Sequence, residues 1–316
     1  MERFIKNILK IVFIQSVIII SFLTIGCNYD QMKSKTTIGE LTVGVDESIY
    51  PVVKREADEF MRLNQDAKIT VQVKTSKEVI ADLANGNLKT ILTARDLTDE
   101  EKSVFTANKT EFKKSKFALD GIGVIVNTNN KLTKLSYNEL KRIFTAQTQE
   151  WSEMDGDNKD VYKGKIKVFI ARRNAAIHDI FKQKVLSSTE FAKTDLVCST
   201  STQMLSEIKK DDNAIGFISM SWITKSNDTL DTSVKALRIG AVDSSGRITE
   251  YVGLHQAYIA DKSYPLVTED YILSTDYSMN VSVGFMSFVL AYDGQKIVLS
   301  SGLVPVTQPV RIIQLN

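Results

Sequence analysis

An α/β fold built around parallel sheet is predicted by three features of this sequence. Strand-like and helix-like segments alternate through residues 41–93. A second strand–turn–helix unit spans Lys165–Phe181. The 316 residues, 43% hydrophobic and 25% charged, suffice for two soluble domains of ordinary size. In the first region Leu41–Val45 alternates apolar with polar or small residues, as a strand does. Pro51 suits the first turn of a helix that runs through Leu63 and has Val53, Ala57, Phe60 and Met61 as its apolar face. Ile69–Val73 is the second strand, Glu78–Leu88 the second helix and Lys89–Thr93 the third strand, after which Thr98 or Asp99 caps a further helix. This order places strands side by side in parallel with helices on the sheet faces. In such sheets ligands collect beyond the carboxyl ends of the strands, and Asp46-Glu47-Ser48 and Thr93-Ala94-Arg95 sit at two such ends.

In the second unit Ile166, Val168 and Ile170 are apolar at every second position, the pattern of a buried strand. From Ala175 a helix follows with Ala176, Ile180 and Phe181 along one side. The turn between them, Ala171-Arg172-Arg173-Asn174, carries two guanidinium groups and an Asn placed as N-cap. A helix start offers unpaired N–H groups and the positive end of its dipole, a combination that binds anions. The other reading of this stretch is a polar surface loop with two solvated arginines.

Further along, Lys116–Asn127 is a long apolar strand interrupted by Asp120-Gly121, and Ser136 caps a short helix, Tyr137–Phe144. Gln149–Gly164 is loop-rich around Trp151. Ala214–Ser219 is a buried strand, Val234–Ile239 another, Gly240–Glu250 a polar turn region and Asn280–Leu299 helical.

The first residues are a targeting segment. Arg3, Lys6 and Lys10 form a basic head, an apolar stretch follows, and Leu23-Thr24-Ile25-Gly26-Cys27 closes it with small residues. The Gly-Cys ending resembles a bacterial lipobox, in which Cys27 is lipidated and becomes the mature N-terminus; Thr24 departs from the aliphatic residue that pattern has three places before the Cys. A plain signal peptide or a short transmembrane anchor are the alternatives. Removing residues 1–26 leaves 37 basic and 37 acidic residues (40 − 3 and 38 − 1). A neutral chain argues against nucleic acid and against general attraction to anionic membranes. Apart from Cys27 the only cysteine is Cys198, so no disulfide forms within the mature chain, and Cys198 reads as a small apolar core residue. Two histidines, His178 and His255, and the absence of hydrolase, nucleotide-loop and zinc motifs give catalysis and metal binding no support.

Seven segments in order resemble the phosphate-type periplasmic binding proteins of bacterial ABC importers, the PstS-like group, in the lipoprotein version of Bacteroidetes-like bacteria. They are Asp46–Pro51, Thr93–Glu100, Phe117–Asn127, Leu135–Phe144, Ala214–Trp222, Tyr264–Leu266 and Gly284–Gln308. The resemblance implies the type 2 periplasmic-binding-protein fold: two lobes, each a mainly parallel sheet flanked by helices, joined by two crossover strands that act as a hinge. Residues 1–26 would be the signal peptide, 27–37 a tether, 38–118 plus 228–316 the first lobe, and 119–227 the second.

The resemblance also implies an oxyanion site made of Ser48, Ile49, Thr93, Arg95, Asp120, Arg172, Arg173, Asn174, Ala175 and Ala176. In relatives the turn before the second-lobe helix is a run of Ser, Gly and Thr whose hydroxyls and amides hold phosphate oxygens. Aligned through Asp179 and Phe181, that run is Ala175-Ala176-Ile177 here. The amides remain; each lost neutral hydrogen bond weakens binding by roughly 0.5–1.5 kcal/mol. Either Arg172 and Arg173 compensate with charge-assisted contacts, or the turn serves a different anion or none. Arg95 matches a family arginine near the anion; its alternative is a surface salt bridge with Asp96 or Asp99. Ser48 opens the first helix and donates its hydroxyl and amide, or serves as a plain N-cap. Asp120 either accepts a proton from the bound oxyanion, favouring phosphate over sulfate, or orders the hinge beside Gly121.

The implied function is an exported, lipid-anchored substrate-binding subunit of an ABC importer. It captures a small oxyanion, inorganic phosphate first, in the interlobe cleft and delivers it to permease subunits. It would be a periplasmic monomer with no cofactor, metal or enzymatic activity, held to the cell envelope only by its N-terminal lipid. The alternative is the same fold used as a sensor or interaction lipoprotein that has lost phosphate capture or binds another anion; an exported hydrolase rests only on the permissiveness of the fold.

Overall fold

The computed structural model describes residues 35–307 except 155, 160, 193, 226–228 and 243–246. The signal segment and Cys27 lie outside the described residues, as does most of the tether. In chain order the elements are β1 (Gly39–Asp46), α1 (Tyr50–Leu63), β2 (Ala67–Lys74), α2 (Ser76–Ala84), β3 (Thr90–Thr93), α3 (Asp99–Ala107) and β4 (Lys113–Val126). There follow β5 (Lys134–Leu135), α4 (Tyr137–Phe144), β6 (Lys167–Ala171), α5 (Ala176–Leu186), β7 (Leu196–Cys198), α6 (Ser201–Lys210) and β8 (Ala214–Ser219). The chain continues through β9 (Lys235–Ala236), β10 (Arg238–Val242), β11 (Ile248–Val252), α7 (Gln256–Ala260), β12 (Val267–Ser274), α8 (Val281–Leu290), α9 (Tyr292–Ser300) and β13 (Val304–Pro305).

The predicted strand–helix alternation of residues 41–93 is present, and β1 pairs in parallel with both β2 and β3. One sheet path, β2-β1-β3-β12-β4-β8-β6-β7, runs through both lobes. β4 makes this continuity. Its first part pairs with β12 as far as Gly121, and its second part pairs with β8 from Ile122 onward. Asp120 and Gly121 therefore stand where the strand changes partners, the place a crossover strand turns from one lobe to the other. Parallel pairing resumes on the far side, where β6 pairs with β7 and β8.

Three details differ from the sequence expectation. Gly240–Glu250 is not a polar turn region alone: β10 and β11 form an antiparallel hairpin, with Ile239 opposite Val252 and Ala241 opposite Glu250. The expected return to the first lobe at residue 228 does not match the pairing. β9 pairs with β4 at Ile125 and Val126, and β10 pairs with β5, so residues 235–252 stay with the second lobe's strands. β12, antiparallel to both β3 and β4, was absent from the expectation. The adjacent acids Glu269 and Asp270 break its apolar alternation.

Packing sets the position of each strand end. On α1, Val53, Ala57 and Phe60 are buried, and Phe60 meets Phe285 and Phe288 edge-on at 5.6 and 5.5 Å between centroids. In the second lobe Phe181 stacks on Phe217 at 4.1 Å, and Phe144 meets Phe181 edge-on at 4.8 Å. That cluster holds the start of α5 against the sheet. Thr98, not Asp99, caps α3: its Oγ1 accepts from Glu101 N at 3.3 Å and the Glu101 carboxylate accepts from Thr98 N at 2.8 Å. Thr98→Ala is expected to lower stability by about 1 kcal/mol, read as an earlier urea midpoint at unchanged slope.

Candidate functional site

The turn after β1 is the hub of the cleft. Asp46 is fully buried, and one carboxylate oxygen accepts from Ser48 N at 2.9 Å and Ser48 Oγ at 2.8 Å. The other accepts from Ser76 Oγ, whose own oxygen lies 2.9 Å from Thr93 Oγ1. Ser76 spends its proton on Asp46, so Thr93 is the donor in that pair. Burial pushes the Asp46 carboxyl up, while the Ser48 bonds and the nearby Arg95 charge pull it back. Ser48 and Thr93 thus serve an internal carboxylate. Ser48 is not the helix cap: Asp46 caps the 3-10 turn Glu47–Ile49, and the buried Ile49 takes the N-cap position of α1 without a side-chain hydrogen bond.

Across the cleft the turn meets the second lobe. The Glu47 carboxylate accepts from Ser201 N at 2.8 Å and Ser201 Oγ at 2.9 Å, at the first residue of α6. Trp222 Nε1 donates to the Glu47 carbonyl at 3.1 Å, and Ser221 Oγ to the Ser48 carbonyl at 3.0 Å. Arg172, half-buried at the end of β6, lies close enough for its charge to act on Glu47 and on Glu78. Glu47, Thr75, Arg172, Ala175, Thr200 and Ser201 are among the residues around a cavity of about 20 Å³, room for about one water.

The α5 turn departs from its expected capping. Asn174 is exposed in the left-handed region, φ 70°, which Asn tolerates, so it precedes the cap. Ala175 takes the N-cap position and offers no side-chain acceptor, so no side chain caps the first turn of α5. Ala175 and Ala176 are buried. Arg173 is exposed, and its charge acts on Glu190 rather than in the cleft. His178 is buried beside Phe191, with Nδ1 2.9 Å from Asp179 Oδ1.

Arg95 is committed elsewhere in the fold. Its Nη1 and Nη2 pair with the Glu101 carboxylate at 2.7 Å each, and Nη1 also donates to the Asp96 carbonyl at 2.9 Å. The salt-bridge partner is Glu101, not Asp96 or Asp99; those acids pair with Lys114 and Lys102. Arg95 lines an outer crevice of about 440 Å³ between α5 and β12, with Ile180, Lys184, Lys262 and Tyr264 among its walls. Arg95 and Arg172 thus line different crevices on either side of the Asp46 turn.

Asp120 is buried where β4 changes partners. It accepts from Gly121 N at 2.6 Å, from Met220 N and from Ser219 Oγ. Burial outweighs these bonds and pushes its carboxyl up to about 6. Asp270, on β12, is fully buried, and neither of its carboxylate oxygens has a hydrogen-bond partner among the described residues. Burial pushes it well up, and the charges of Asp120, Asp46 and Glu269 push further. The buried Cys198 thiol is pushed up to about 11, which fits a core residue rather than a nucleophile.

The structure gathers Ser48 and Thr93 around Asp46, with Ile49 buried in the turn that Asp46 caps, and sets Arg172 and Ala175 around one cavity with Glu47; Ala176 is buried in the core, and Arg173 and Asn174 are in solvent. Glu47, Ser76, Ser201 and Asp270 were missed as site residues. Glu47 had a signal, an acid between Asp46 and Ser48 at a strand's carboxyl end; Ser201 had only the helix start at Thr200, whose side chain caps α6.

A family model described as a PBP superfamily domain matches residues 31–292. The phosphate-binding protein PstS of Bacillus subtilis is 25% identical over 283 residues, 89% of this chain and 85% of that protein. A Clostridium perfringens structure with bound phosphate, assigned as a phosphate ABC transporter substrate-binding protein, superposes with a TM-score of 0.71 at 24% identity, covering 85% of this chain and all of that one. An ABC-type phosphate transport receptor from Vibrio cholerae gives a TM-score of 0.63 at 22% identity, covering 84% and 99%. Both structures share the fold.

Proposed function

Because the chain belongs to the PBP superfamily, we propose that it is the substrate-binding subunit of an ABC importer and that its cleft captures a small oxyanion, inorganic phosphate first. One observation carries the reading. The cleft already seats an oxyanion-like group, the Glu47 carboxylate, on the amide and hydroxyl of Ser201 with Arg172 beside it. The names of the Bacillus, Clostridium and Vibrio relatives favour phosphate within that class. Export and lipid anchoring through Cys27, delivery to permease subunits and a monomeric state belong to the same reading.

In this reading Arg172 and the amides at the start of α5 and α6 face the anion, while Ser48 and Thr93 hold the Asp46 turn in place. Asp120 ties the crossover strand to the turn after β8. Arg95 shapes the outer wall, because Glu101 already neutralises it. Calorimetric titration with phosphate, sulfate and molybdate tests the proposal; heat with none of them overturns it. Arg95→Ala is expected to cost roughly 1–2 kcal/mol of stability through the lost Glu101 pair and to weaken phosphate binding less than tenfold. Abolished binding in a folded variant would return Arg95 to the anion itself. A sensor that no longer captures phosphate is the second reading; the bare Ala175 cap, without a hydroxyl to offer, favours it.

A further inference from the structure

We propose that Glu47 is a built-in competitor: its carboxylate holds the anion's seat at the start of α6 while the cleft is empty, and a solute oxyanion takes that seat by displacing it. The inference rests on the reading of the cleft as an oxyanion site and goes on to say what guards it. The grip is that of a bound anion, with one carboxylate oxygen on Ser201 N at 2.8 Å and the other on Ser201 Oγ at 2.9 Å. The two residues come from opposite sides of the cleft, one after β1 and the other opening a helix that packs on β8. α6 does not need Glu47 as a cap, since Thr200 Oγ1 already accepts from Gln203 N at 3.1 Å.

Space and charge exclude joint occupancy. The remaining cavity of about 20 Å³ admits about one water, too little for a tetrahedral oxyanion. A second anion beside the Glu47 carboxylate meets like charge in a partly buried setting, with Arg172 the cation nearby. The backbone of the turn stays anchored by Trp222 Nε1 on the Glu47 carbonyl and Ser221 Oγ on the Ser48 carbonyl. Side-chain rotation alone therefore frees the seat. The apparent affinity for a solute anion is then reduced by the fraction of molecules in which Glu47 has let go. Such a guard filters weak anions, because only a solute that outcompetes a carboxylate is retained.

The test uses the full chain as wild type, Glu47→Gln and Glu47→Ala, each titrated with inorganic phosphate, sulfate and molybdate by calorimetry at pH 7.5. Glu47→Gln is expected to bind phosphate roughly tenfold tighter or more, because a neutral amide competes poorly for the two donors. Glu47→Ala removes the competing carboxylate and leaves both Ser201 donors in place, and it serves as the second variant if Glu47→Gln does not fold; it is expected to shift affinity in the same direction. Unchanged or weaker phosphate binding in Glu47→Gln overturns the proposal and, with wild-type binding intact, leaves the phosphate reading standing. If neither protein binds phosphate, that reading fails by itself. Sulfate and molybdate then decide on the competitor: tighter binding of either in Glu47→Gln than in wild type upholds it, and equal binding, weaker binding or none overturns it.

Discussion

Replacing Asp120 by Asn is expected to stabilise the protein at pH 7.5 and to flatten its pH dependence between pH 7.5 and 4.5. Asp120 is buried, and its carboxyl is pushed from 3.8 up to about 6. A group raised on folding contributes stability that is fully present below its unfolded value and lost as pH rises through its folded value. For Asp120 that window runs from 3.8 to about 6, so the wild type gains from it on acidification, by about 2 kcal/mol between pH 7.5 and 4.5. Asn does not titrate. Its amide oxygen accepts from Gly121 N, and the Ser219 hydroxyl turns to accept from the amide nitrogen. Asp270→Asn is expected to act in the same direction, since burial and the Asp120 charge both raise that carboxyl. The double variant should gain less than the sum, because each single change already relieves the shared repulsion. Urea unfolding of the four proteins at the two pH values checks this; parallel pH slopes in wild type and Asp120→Asn contradict it.

Arg172→Ala is expected to weaken phosphate binding roughly hundredfold, about 2.7 kcal/mol. Arg172 is the half-buried cation on the cleft wall beside Ala175 and Ser201. With the hydroxyls of the α5 turn replaced by Ala175-Ala176-Ile177, it has no side-chain hydroxyl partner there to share the anion. Arg172→Lys keeps the charge and loses the planar fork, so it should fall between the two. Arg173→Ala is the matched control: that side chain is exposed and acts on Glu190, and its loss should change affinity less than threefold. Calorimetry on the three variants separates the pair. Equal losses at 172 and 173 would mean a diffuse charge effect rather than a wall contact.

Elements with a strong local cause were legible in the sequence. The period-two pattern of β1 and β6, the buried run of β8 and the Ser136 cap are decided within a few residues, and the structure contains them. β12 was not legible, because Glu269 and Asp270 read as surface residues until β3 and β4 close on either side. The same holds for residues 235–252, whose allegiance to the second lobe is set by pairing with β4 and β5 far back in the chain.

The site divides along the same line. The sequence by itself determined which donors and charges stand at strand ends and helix starts, since both are local properties of periodicity and turn chemistry. Only the tertiary structure decided what each of them faces. Ser76 went to Asp46, 30 positions away, Ser219 to Asp120, 99 positions away, and the start of α6 to Glu47, 154 positions away. A buried polar group must find a partner wherever the closed fold offers one, and that choice depends on distances no local pattern contains.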